Sequence, residues 1–97
     1  MRLGRSGGDP AARVLATCHE LGRGPAARVP LDRLRGELPE LDRETVDQAL
    51  LQLERDGVIF LVEPLFPSQL SDVERVSQLD HPSGYRVLFA ELPQQGD

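Results

Sequence analysis

Residues 41–62, LDRETVDQALLQLERDGVIFLV, carry the clearest structural signal in the chain. Asp42 has the side chain of a helix N-cap, and Glu44 places negative charge in the first turn, where the helix dipole favours it. Leu41 just before the cap and Val46 at the fourth helical position have the spacing of a hydrophobic staple. Val46, Ala49, Leu50 and Leu53 then recur at helical intervals and line one face. Asp56-Gly57 ends the helix, with Gly57 expected in the left-handed conformation. Val58 to Val62 is apolar on both faces and rich in β-branched residues, so it reads as a strand.

Working outward towards the N-terminus, Asp9-Pro10 reads as an N-cap followed by proline at the first helical position. Ala11, Val14, Cys18 and Leu21 recur at helical spacing, with Leu15 at the edge of the stripe, and predict a helix from Pro10 to Leu21. Gly22 is expected to close it in a left-handed conformation. A turn follows from Gly22 to Ala27, and Arg28-Val29 is expected to make a very short strand before Pro30. Leu31, Leu34 and Leu38 predict a short second helix that Pro39 stops. Gly36 inside it costs about 1 kcal/mol relative to Ala, so packing rather than propensity must hold this helix.

Towards the C-terminus, Tyr85 to Ala90 is the natural strand partner for Val58 to Val62. Between them lie Glu63 to Gly84, too long a segment for a plain hairpin loop, so structure is expected within it. Ser71 and Glu74 have capping-box spacing, and Val73 and Val76 share a face with Leu70, which predicts a helix from Asp72 to Gln78. Pro93 bars simple extension of the last strand. No internal repeat is present.

The order helix, short strand, helix, tight turn, helix, strand, long excursion, strand resembles the winged helix-turn-helix superfamily over roughly residues 10–91. Leu50, Leu53, Gly57 and Ile59 supply a cadence common in such domains, because the third helix must stop sharply before a hairpin. The resemblance implies an α+β fold, a three-helix core with a β-hairpin wing. Here the wing is long, acidic and carries a short extra helix, unlike the short basic wing typical of the superfamily. The expected organisation is a disordered tail at 1–8, one domain at 9–91 and a polar C-terminal tail at 92–97.

At 97 residues, 39% of them apolar and few aromatic, the chain supports one modest core and no large catalytic cleft. A single cysteine excludes an intrachain disulfide, and no signal-peptide core or membrane-length apolar run is present, so the cytoplasm is the expected compartment. All eleven basic residues are arginine. Residues 1–35 hold seven of them against Asp9, Glu20 and Asp32, whereas residues 36–97 hold four against thirteen acids. A net charge of −5 counts against strong nonspecific binding to a phosphate backbone, although a local basic patch remains compatible with it.

Two functions remain open. The resemblance implies a small regulator or accessory factor that binds double-stranded DNA, with the helix at 42–56 in the major groove. On that reading Gln48 and Gln52 read adenine, Arg43 and Arg55 reach guanine or phosphate, and Arg33 and Arg35 on the preceding helix contact the backbone. Glu44 and Asp47 work against it, and the plainer reading of the same residues is a solvated helix face. The alternative is an interaction module, a subunit or adaptor that docks a protein or forms a homodimer. Leu51 sits opposite the core stripe and, with Phe60, Leu65, Phe66 and Leu70, is expected to form the interface or to be covered by a wing that folds back.

Catalysis has no support. Asp80, His81 and Ser83 lie too close in sequence to place a base between a nucleophile and an acid. One Cys and two His give no metal-ligand spacing, there is no phosphate-cradling loop between strand and helix, and no cofactor is expected.

Overall fold

The computed structural model describes residues 9–22 and 28–93. The expected tail at 1–8, the turn at 23–27 and residues 94–97 lie outside the described residues. Within them the chain is an α+β domain of four α-helices and two small antiparallel sheets. The elements run α1 (Pro10–Leu21), β1 (Arg28–Pro30), α2 (Leu31–Glu37), α3 (Arg43–Arg55), β2 (Phe60–Val62), α4 (Asp72–Ser77), β3 (Leu79–Asp80), β4 (Arg86–Val87) and β5 (Phe89–Glu91). A single 3₁₀ turn at Pro67–Gln69 precedes α4.

The caps explain where the helices begin. Asp9 accepts from the Ala11 N–H at 3.2 Å, with Pro10 in the first turn of α1. Asp42 accepts from the Thr45 N–H at 2.9 Å. Hydrogen bonds from the Thr45 side chain and backbone hold its carboxyl below the usual aspartate range. At the other end of α3, Gly57 has φ +79°, the Gly57 N–H donates to the Glu54 carbonyl at 3.0 Å, and the Val58 N–H donates to Leu53 at 3.1 Å. These two bonds make a Schellman stop. They also correct the strand start expected at Val58: its N–H is still engaged by α3, so β2 begins at Phe60.

Gly22 departs from expectation. It has φ −107°, not a left-handed value, and its N–H still donates to the Cys18 carbonyl at 2.8 Å, so an ordinary helical bond closes α1. The stretch Tyr85 to Ala90 is also not one strand. It divides at Leu88 into β4, which pairs with β3, and β5, which lies between β1 and β2. Val87 and Leu88 are both buried although consecutive, which breaks the alternation a single strand requires. Leu88 joins both neighbours, donating to the Val62 carbonyl at 3.0 Å and accepting from the Leu31 N–H at 2.8 Å.

The core is aliphatic. Val14 and Cys18 of α1, Leu31 and Leu34 of α2, and Val46 and Leu50 of α3 are fully buried with Ile59, Leu79, Val87 and Leu88. Burial pushes the Cys18 thiol up to about 11, which keeps it protonated and unreactive at neutral pH. Leu41 packs against this core, as the staple requires. Leu92, just beyond the expected domain end, is buried too.

In the three-stranded sheet, Val29, Ala90 and Leu61 share a register row and are all buried. The adjacent rows, Arg28–Glu91–Phe60 and Pro30–Phe89–Val62, therefore occupy the opposite face. Pro30 is tolerated because β1 is an edge strand.

Candidate interaction surface

The side of α3 away from the core divides into two stripes. Glu44, Gln48, Gln52 and Arg55 are exposed and line an open groove of about 410 Å³ with Asp9, Pro10 and Asp42. The groove joins the beginnings of α1 and α3 and holds three carboxylates against one guanidinium. Gln48, Gln52 and Arg55 are thus together and accessible, in acidic surroundings.

The other stripe faces the 63–84 segment. Arg43, the first residue of α3, directs Nη1 to the Val76 carbonyl and Nη2 to the Gln78 carbonyl. Arg35 of α2 donates from Nε to the Ser77 carbonyl at 3.0 Å and from Nη2 to Asp47 Oδ1 at 2.8 Å. Asp47 Oδ2 lies 3.9 Å from Arg43 Nε. Among the described residues the Arg35 Nη1 is buried without a partner. Two of the arginines expected to meet DNA therefore hold the end of α4, while Arg33 is exposed on α2.

A second link ties the hairpin between β3 and β4 to the far end of α3. His81 Nε2 is 2.8 Å from Glu54 Oε1, and His81 Nδ1 accepts from the Ser83 N–H at 3.0 Å. With Nδ1 an acceptor, Nε2 carries the proton and donates to the carboxylate. The Tyr85 ring stacks on the imidazole at 4.3 Å. Burial, then the charges of Glu54 and Glu63, push the Tyr85 hydroxyl above its ordinary value. Asp80, His81 and Ser83 do not form a catalytic relay here: Ser83 meets the imidazole through its backbone, and the carboxylate on the ring belongs to Glu54.

The expected interface residues separate as well. Leu51 is half-buried and packs against the core, and Leu70 is half-buried beside Pro64, Arg75 and Gln78. Phe60, Leu65 and Phe66 are 53%, 75% and 63% exposed. On the outer sheet face the register sets Phe60 opposite Glu91 and Val62 opposite Phe89, so Phe89 lies diagonal to Phe60, with Arg28 lying 5.3 Å over the Phe89 ring and 3.1 Å from Glu91. Among the described residues no helix is long and apolar enough to cross a membrane.

Sequence reasoning did not find the roles of Ser77, Gln78, Glu54 and His81. The first two act through backbone carbonyls, which no side-chain pattern marks. The pairing of Glu54 with His81 spans 27 positions and depends on how the segment returns to α3. Compared with known proteins, the chain matches no family model, no curated protein and no solved structure.

Proposed function

We propose that this chain is a winged-helix domain acting as a protein-interaction module, which docks a partner protein through the outer face of its three-stranded sheet. The element order supports the winged-helix part: three helices, a short strand after the first, and an antiparallel strand pair after the third. The observation that carries the functional part is the engagement of Arg35 and Arg43 by the carbonyls at the end of α4. A DNA-reading corner needs those cations facing phosphates, and the accessible remainder of α3 opens onto Asp9, Asp42 and Glu44. By contrast, the sheet face offers Phe60, Val62 and Phe89 in adjacent positions, with aromatic groups of the kind that anchor protein interfaces.

DNA binding is the second reading, favoured by the exposure of Gln48, Gln52 and Arg55 on one stripe of α3. Anisotropy titration of labelled duplexes with the full chain separates the two. The interaction reading expects no saturable binding at about 50 mM salt, and none that Gln48→Ala or Arg55→Ala removes. Saturable binding that weakens steeply by about 200 mM salt and is lost in those variants would establish the DNA reading instead.

A further inference from the structure

Helix α4 has only six residues, Asp72–Ser77, too few to persist as an isolated helix. Its first turn is closed locally by a reciprocal capping box: the Ser71 hydroxyl oxygen accepts from the Glu74 N–H at 3.1 Å, and Glu74 Oε1 accepts from the Ser71 N–H at 2.9 Å. Burial does not anchor the rest. Val73 and Val76 are 60% and 65% exposed, and Ser77 is the one buried residue of the helix. Beside the buried Ser77 and Gln78, the pair of guanidiniums on the carbonyls of residues 76, 77 and 78, with Asp47 between them, joins the end of α4 to the body.

The placement of Arg43 makes this attachment separable from the body. As the first residue of α3 it sits at the positive end of that helix, where a cation is disfavoured. Its guanidinium meets the negative end of α4, where a cation is favoured. Removing the charge therefore relieves α3 while it releases α4, and the effects on the two regions differ in sign. The segment is tied at both ends by buried residues, Leu61 in β2 before it and Leu79 in β3 after it.

We infer that residues 63–78 form a strap across the corner between α2 and α3, latched by Arg35 and Arg43, that opens as a unit while the body stays folded. Opening takes both guanidiniums off the carbonyls of residues 76–78 and leaves them beside Asp47, so the strap controls access to this corner between α2 and α3. This holds whether the sheet face docks a partner or not.

Amide hydrogen exchange, followed residue by residue on the full chain, tests it. In Arg43→Ala the helical amides of α4, such as the Arg75 N–H on the Ser71 carbonyl, exchange about tenfold faster, the loss expected for hydrogen bonds to a charged group. Amides in the middle of α1 and α3 keep their rates or slow. Arg43→Lys, which keeps a charge but loses the fork of donors, falls between. Unchanged exchange in α4 overturns the inference, and so does a rise shared equally by α1 and α3. Failure of Arg43→Ala to fold also overturns it, because Arg43 would then belong to the body.

Discussion

The body of the domain and the 63–78 segment are held by different forces, although they are continuous in one short chain. In the body, helices α1, α2 and α3 and the strands turn their aliphatic residues inward, and Leu31, Leu34, Val46, Leu50 and Ile59 lose all or nearly all contact with water. In the segment the apolar residues Leu65, Phe66, Val73 and Val76 face out, Leu70 is only half-buried, and the inward contacts at its C-terminal end are arginine-to-carbonyl bonds around the buried Ser77 and Gln78. Burial of apolar area is non-directional and cooperative across a core, whereas a few charged hydrogen bonds act locally and can break without the rest. The difference marks the segment as the low-stability part of the fold.

Substitutions on either side sharpen that contrast. The largest effect is expected from Leu50→Ala in the centre of the body, where a fully buried side chain is removed: about 2–5 kcal/mol of unfolding free energy by denaturant titration. The smallest is expected from Val73→Ser on α4, which leaves that free energy within about 0.5 kcal/mol of wild type. Comparable losses for the two would mean that the segment is part of the core, and the contrast would fail.

Much of the body was legible in the sequence because its signals are local. The Asp42 cap, the Leu41–Val46 staple, the stripe through Leu53 and the Gly57 stop all act within a few residues, and each has its counterpart in α3. The Ser71–Glu74 box marks α4 for the same reason. Legibility failed where the outcome depends on distant partners. Tyr85 to Ala90 has the composition of one strand, yet Leu88 lies between two sheets because β1 and β2 take one half and β3 the other. The adjacent apolar residues Val87 and Leu88, both buried, are the trace of that break.

The candidate site was legible as a set of residue types but not as a set of roles. Arg35 and Arg43 read as phosphate contacts because a guanidinium can donate to a phosphate or to a backbone carbonyl, and the side chain alone does not say which acceptor it meets. Their acceptors lie 42, 33 and 35 positions away along the chain, on backbone that carries no sequence signature. Leu51, opposite the core stripe, is expected from the sequence to lie in an interface or under a folded-back wing, and it is half-buried and packed against the core. Gln48, Gln52 and Arg55 are exposed as expected, but the acids that join them in the groove come partly from the start of α1.

The central claim is that the body and the strap are separate units of stability, and native-state hydrogen exchange of the wild-type chain across a denaturant series tests it most directly. The account predicts that amides in the middle of α1 and α3 exchange only through global unfolding, with rates that rise steeply with denaturant. Those of α4 should exchange through a smaller opening that hardly depends on it. A single common free energy and denaturant dependence for all three helices would contradict it.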